Sequence, residues 1–89
     1  MDKKTITQEI ITILERHGEI STPTEHEKNK YRYLDEGHID SISIINFIIE
    51  IEEKFQILLL PEDTQSDEFR YIEGLSTLIE NKIRAKSYA

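Results

Sequence analysis

The serine at position 41 is the residue of this chain best placed for chemistry. It directly follows Asp40 and precedes a run in which large apolar residues recur at steps of three and four, as in an amphipathic helix. Asp40 and Ser41 therefore stand at a predicted helix start, where side-chain oxygens accept hydrogen bonds from free backbone amides. Those amides also carry partial positive charge, which favours a phosphate group there. The pattern suits a phosphorylated or phosphodiester-linked Ser41, although serines at such positions usually only cap the helix.

Three histidines offer a second set of reactive groups. His17, His26 and His38 fall at a predicted helix end, in a polar loop and in the turn before Ser41, without a metal-ligand spacing such as His-Glu-x-x-His. A hydrolytic triad of Ser41, His38 and Asp40 is not supported either, because adjacent residues have no evident triad geometry and no nucleophile elbow is predicted. We therefore expect neither a metal site nor a catalytic residue.

The composition narrows the possible functions. The chain has 89 residues, the size of one small domain with a modest core, and this disfavours a self-contained enzyme with a deep cleft. It has no cysteine, so any thiol chemistry must come from a prosthetic group. The net charge of −7 argues against a nucleic-acid partner. No apolar stretch approaches the roughly 20 residues of a membrane span, and the first residues lack the apolar core of a signal peptide, so a cytoplasmic protein is expected.

Apolar periodicity predicts an all-α fold with three main helices and one short helix. We expect helix one at about residues 5–17, a long loop at 18–40, helix two at about 41–55, a short helix within 61–69 and the last helix at about 72–85. Thr5 and Gln8 could form a capping box for helix one, and Gly74 is expected to weaken the last helix by about 1 kcal/mol relative to alanine. The predicted core consists of Ile6, Ile10, Leu14, Ile45, Ile49, Phe55, Leu75 and Ile79.

A longer pattern around Ser41 indicates a family. The segment Gly37-His-Ile-Asp-Ser-Ile42, followed by Phe47 and the run Ile51-Glu-Glu-Lys-Phe55, resembles the phosphopantetheine-attachment region of the acyl carrier protein family. Downstream, residues 60–63 and 69–79 are similar to the third and fourth helices of such proteins, so the resemblance covers roughly residues 6–83. It implies a small acyl-carrier-like helical bundle, a single carrier domain over residues 1–89.

The resemblance also implies a cofactor and a set of partners. Ser41 would receive a covalent 4′-phosphopantetheine arm from coenzyme A, and Asp40 would help the phosphopantetheinyl transferase to engage Ser41. An acyl- or aminoacyl-activating ligase would load the arm's thiol as a thioester, and a downstream synthase or acyltransferase would consume it. The chain itself would catalyse nothing, and we expect a monomer. The candidate partner-binding residues, all on helix two, are Ile42, Ile45, Asn46, Glu50 and Glu53.

Two of these assignments have a simpler structural alternative. Ile42 could either pack in the core or remain exposed to meet incoming enzymes. Glu50, Glu52 and Glu53 could form only a solvated helix face, or a negatively charged surface that speeds association with basic partners.

Some positions depart from the fatty-acid type of carrier. Ser43 and Asn46 stand where many fatty-acid carriers have acidic residues, and Gly37 lies three rather than two residues before Asp40. The Gly37 spacing resembles that of D-alanyl carriers and stand-alone carriers of specialised pathways more closely, and both features argue against a housekeeping fatty-acid role. We therefore expect a specialised biosynthetic role, with a D-alanyl carrier or a carrier for fatty acid or polyketide biosynthesis as alternatives. An unmodified helical interaction domain is the alternative from another functional class.

Overall fold

The helices of the protein form a small all-α bundle. The computed structural model describes residues 2–18, 30–40 and 42–87, and no strand occurs among them. Their helices are α1 (Lys3–His17), α2 (Ser43–Phe55), the short α3 (Pro61–Thr64), a 3-10 helix (Asp67–Arg70) and α4 (Ile72–Ser87). The prediction of a small all-α bundle with three main helices and a short one is confirmed. None of the helices in these described ranges has the length and apolarity to cross a membrane.

Helix α1 begins earlier than predicted because Asp2 caps it. The Asp2 carboxylate accepts a hydrogen bond from the Thr5 amide at 2.9 Å, and the Asp2 carbonyl accepts one from the Ile6 amide at 3.0 Å. Thr5 therefore lies inside the first turn, and the predicted capping box of Thr5 and Gln8 is wrong. The helix ends at His17, directly before Gly18.

The segment before α2 contains a short helical turn. Of the predicted long loop, residues 19–29 lie outside the described residues, while residues 33–37 form the turn. It closes with hydrogen bonds from the His38 amide to the Tyr33 carbonyl at 2.9 Å and from the Gly37 amide to the Leu34 carbonyl at 3.2 Å. Gly37 has a positive φ of 73°, as the final residue of this turn motif requires. The turn brings the chain back toward the start of α2.

The core is built from α1, α2, α4, the 3-10 helix and the two segments that flank α2. Tyr33 joins these elements, because it is fully buried and its hydroxyl donates a hydrogen bond to the Phe69 carbonyl. Burial also raises the pKa of the Tyr33 hydroxyl well above its usual value, so it stays protonated as a donor. The buried apolar side chains are Ile6, Ile10, Ile11, Ile13, Leu14, Tyr33, Ile39, Phe47, Ile51, Phe55, Ile57, Phe69, Ile72, Leu75 and Ile79.

The core face of α2 differs from the predicted one. Phe47, Ile51 and Phe55, at steps of four, point inward, whereas Ile45 and Ile49 are exposed. The prediction that Ile45 and Ile49 belong to the core is therefore wrong. The physical reason is that α2 carries apolar residues around most of its circumference, and the large ring of Phe47 packs against aromatic rings from other segments.

Helix α2 ends in a backbone conformation that glycine would adopt more easily. Gln56 has φ 55° and ψ 49°, and its amide and that of Ile57 both donate to the Glu52 carbonyl. Left-handed conformation costs a residue with a Cβ about 1–2 kcal/mol, and glycine costs about 0.5–1 kcal/mol in chain entropy. We expect Gln56→Gly to raise the free energy of unfolding by about 0.5–1 kcal/mol in urea denaturation. Gln56→Ala, which keeps the Cβ, should give no gain, and equal effects of the two changes would contradict the explanation.

Candidate functional site

Asp40 organises the start of α2. Its carboxylate Oδ1 accepts hydrogen bonds from the amides of Ile42 at 3.1 Å and Ser43 at 2.7 Å, and its carbonyl accepts one from the Ile44 amide at 3.0 Å. Ile42 already has helical dihedral angles, so the helical path begins directly after position 41. The predicted capping role of Asp40 is thus confirmed. Ser41, the predicted attachment residue, lies outside the described residues.

These contacts also set the ionisation of Asp40. The hydrogen bonds from Ser43, with smaller contributions from the Ile42 amide and from the nearby His17, hold the pKa of the Asp40 carboxyl below its usual value. The carboxylate is therefore ionised at neutral pH and remains exposed to solvent. A charged group that neighbours Ser41 in sequence is accessible to a partner.

Asp40→Ala is expected to destabilise the protein at neutral pH, and the difference from wild type should shrink as the pH falls below about 4. Because the pKa is lower in the folded state, the stabilisation is complete above the unfolded-state pKa of about 3.9 and is lost as the pH falls through the folded-state value. Thermal melts of both proteins across this range would measure the difference.

Asp40→Asn is the matched control for this experiment, since asparagine keeps an acceptor oxygen for the amides but does not ionise. The stability difference between Asp40→Asn and Asp40→Ala should therefore not depend on pH. A pH-independent difference between wild type and Asp40→Ala would show that the ionised carboxylate is not what stabilises the helix start.

His38 holds the segment that leads to Asp40 against α1 through a hydrogen bond. Its Nε2 lies 2.7 Å from the Leu14 carbonyl, which can only accept, so Nε2 carries a proton. In the neutral ring Nδ1 then accepts from the Tyr31 hydroxyl, 3.0 Å away. Both ring nitrogens are thus engaged in contacts that join α1 to the loop. This role depends on contacts between residues far apart in sequence, and the local pattern around His38 carries no signal for it.

Exposed isoleucines follow the capped start of α2. Ile42 is 82% exposed, Ile45 is 60% exposed and Ile49 is 44% exposed. Their spacing of three and four residues places them on one side of the helix, and we call them the isoleucine stripe. Asn46 is also exposed, next to Ile45 in sequence. Of the two alternatives for Ile42, the structure supports exposure rather than core packing. The sequence prediction missed Ile49 as a surface residue.

The two acidic partner-binding candidates lie in different environments. Glu50 is partly buried and contacts two residues at the end of α1. It forms an ion pair with Arg16 at 3.7 Å, and its Oε1 lies 3.3 Å from His17 Nε2, within hydrogen-bond distance. Glu53 is exposed near the far end of α2. The structure thus brings Ile42, Ile45 and Asn46 together near the helix start and directs Glu50 toward α1. Glu53 lies one turn after Glu50, near the far end of the helix.

Two further sets of polar side chains are candidate centres of chemistry, namely possible metal ligands and buried hydroxyls. Within residues 2–18, 30–40 and 42–87, His, Asp and Glu side chains form no group of three that could hold a metal ion. The buried hydroxyls of Thr7 and Ser76 hydrogen bond to each other at 2.8 Å between α1 and α4, which makes them structural contacts. The candidate site is therefore the start of α2 with the isoleucine stripe.

Comparison with known proteins does not add a family assignment to these observations. No protein-family model matches the chain, and no curated protein is significantly similar to it.

Proposed function

We propose that this chain is an acyl carrier protein, which carries acyl or aminoacyl groups as thioesters on a 4′-phosphopantetheine arm attached to Ser41. The main support is the arrangement of the two residues that flank this serine. Asp40 caps α2 through two amides, and Ile42 has helical dihedral angles with an exposed side chain. The positive end of the helix dipole favours a phosphodiester at such a position.

Two further features support carriage. The chain has no cysteine, so a thioester would have to form on the thiol of the added arm. The exposed isoleucine stripe begins one residue after Ser41, where an enzyme acting on the arm would approach the domain. In the proposed attachment step, the Ser41 hydroxyl oxygen bonds to the phosphorus of the phosphopantetheine, adenosine 3′,5′-bisphosphate leaves coenzyme A, and the transferase accepts the hydroxyl proton.

The surface near the start of α2 favours a carrier of a specialised pathway over a fatty-acid carrier. Ser43 and Asn46 are uncharged, and Glu50 is paired with α1. A D-alanyl carrier remains an alternative within the class. The exposed stripe would equally suit a helical interaction domain in which Ser41 is never modified, and this is the second candidate function.

The test is the intact mass of the protein before and after incubation with coenzyme A and a broad-specificity phosphopantetheinyl transferase. We expect the wild-type protein to gain one phosphopantetheine group and Ser41→Ala to gain none. Ser43→Ala, a change of the nearest other serine, is the matched control and should be modified like wild type. If the wild-type protein gains nothing while a known carrier is modified in the same reaction, the interaction domain becomes the better description.

A further inference from the structure

A short series of hydrogen bonds holds the residues that precede Ser41. The Tyr31 hydroxyl lies 3.0 Å from His38 Nδ1, and His38 Nε2 lies 2.7 Å from the Leu14 carbonyl in the last turn of α1. Burial raises the pKa of the Tyr31 hydroxyl above its usual value, so the hydroxyl keeps its proton and donates to His38. We call the Tyr31 hydroxyl, the His38 ring and the Leu14 carbonyl the His38 clamp.

The residues of the clamp connect three helices. The Leu14 carbonyl belongs to the end of α1, where carbonyl groups lack partners within the helix. The backbone carbonyl of Tyr31 accepts a hydrogen bond from the amide of Ile72, the first residue of α4, at 3.2 Å. Two residues after His38, Asp40 caps α2. The end of α1 and the starts of α2 and α4 are therefore joined through one short segment of chain.

His38 and its neighbour Ile39 hold this segment in different ways. Ile39 is 4% exposed, and its burial sets how deeply the chain lies in the bundle, because the hydrophobic effect has no preferred direction. The hydrogen bonds of the His38 ring are directional, so they set how the backbone is turned. The orientation in which the chain enters Asp40 and Ser41 therefore depends on His38.

We infer that His38 is a positioning residue for the modification of Ser41, because the clamp keeps the peptide before this serine in the orientation that a phosphopantetheinyl transferase accepts. The inference rests on the proposed function. The serine oxygen must lie in line with the phosphorus, and a misplacement of about 1 Å can cost about a hundredfold in rate. When the clamp is broken, only a fraction of the molecules holds the competent orientation, and the apparent KM rises by the inverse of that fraction.

The experiment measures kcat and KM separately for modification of the protein by a broad-specificity phosphopantetheinyl transferase with coenzyme A. His38→Leu keeps a large side chain but removes both hydrogen bonds, so it should raise KM about fivefold and change kcat by less than about twofold. His38→Gln is the conservative variant, since its amide nitrogen can reach the position of Nε2 and donate to the Leu14 carbonyl. It should keep KM within about twofold of the wild-type value.

His38→Asn provides a second break of the clamp that retains a polar side chain. Its shorter amide reaches the position of Nδ1 but not that of Nε2, so the bond to the Leu14 carbonyl is lost. We expect this variant to raise KM as His38→Leu does. Circular dichroism should show that the variants are folded, and His38→Asn takes the place of His38→Leu if the leucine variant does not fold.

Thr7→Val separates positioning from a general loss of stability. It removes the buried hydroxyl that hydrogen bonds to Ser76 at 2.8 Å, about 15 Å along α1 from the last residue of the helix. Urea denaturation should show a similar loss of stability for Thr7→Val and His38→Leu. Thr7→Val should nevertheless leave KM unchanged, because the clamp is intact in this variant.

Amide hydrogen exchange at Ile44 measures how firmly Asp40 is held, since this amide donates to the Asp40 carbonyl at 3.0 Å. Exchange at Ile44 should be about fivefold faster in His38→Leu than in the wild-type protein, and unchanged in Thr7→Val. This measurement requires neither a transferase nor the phosphopantetheine arm.

Several results would overturn the inference while leaving carriage intact. These are an unchanged KM in His38→Leu and His38→Asn, an equal rise in KM for Thr7→Val, no rescue by His38→Gln, or unchanged exchange at Ile44 in His38→Leu. If the transferase modifies a known carrier but not the wild-type protein, both the proposed function and the inference fail.

Discussion

Replacing Phe47 with alanine is expected to lower the free energy of unfolding by about 3–5 kcal/mol. Phe47 is fully buried, and its ring centroid lies 5.4 Å from that of Tyr33 and 6.4 Å from that of Phe69. The change removes the transfer free energy of a phenyl ring, leaves a cavity and deletes these aromatic contacts. A domain of this size has a total stability of about 5–15 kcal/mol, so the loss is a large share of it.

Urea denaturation followed by circular dichroism would measure this effect. Ile45→Ala is the matched control, because it also shortens a large apolar side chain of α2, but at an exposed position. We expect the control to change the free energy of unfolding by no more than about 0.5 kcal/mol. Equal losses for the two variants would contradict the assignment of Phe47 to the inner face and of Ile45 to the outer face.

Gly74→Ala is expected to lower the free energy of unfolding by about 1–3 kcal/mol. Helix propensity alone predicts a gain of about 1 kcal/mol, since Gly74 lies in α4. However, a Cβ at this position would come within 2.5 Å of the Glu68 carbonyl oxygen, 2.7 Å of the Glu68 Cα and 2.8 Å of the Tyr71 ring. Two of these atoms belong to the backbone of the 3-10 helix, which cannot move aside as a flexible side chain can, so the steric cost exceeds the propensity gain.

The control for Gly74→Ala is Asn81→Ala in the same helix. Asn81 is exposed, and alanine has the higher helix propensity, so a gain of up to about 0.7 kcal/mol is expected. Opposite signs for the two alanine substitutions in urea denaturation would establish that close packing against the 3-10 helix determines the effect at Gly74. A gain for both would show that Gly74 is not closely packed.

The elements of the fold could be predicted because their signals are local. The apolar spacing within α1, α2 and α4 identifies each helix without reference to the others. The inner face of α2 could not be predicted in the same way, because isoleucines lie on several of its sides. That face is decided by Tyr33 and Phe69, whose rings pack with Phe47 but come from other segments. Likewise, helix propensity at Gly74 carries no information about the neighbouring backbone.

The candidate site shows the same division between local and distant contacts. The capping of α2 by Asp40 could be predicted from the sequence, because it involves only residues within three positions of Asp40. Glu50 pairs with Arg16, and His38 hydrogen bonds to the Leu14 carbonyl. Each of these contacts joins residues from separate elements, so the local sequence does not predict it. Whether an acidic residue is free for a partner therefore becomes apparent only once the helices are packed.

The two faces of α2 have different consequences for how such a protein can diverge. Ile42 and Ile45 are mostly exposed, so substitutions at these two positions should typically alter stability by no more than about 0.5 kcal/mol. Phe47 and Ile51 lie on the opposite side of the same helix and are fully buried in the core, so substitutions there should lower stability more. New partner preferences can therefore arise by mutation of a few outward positions while the scaffold is inherited unchanged.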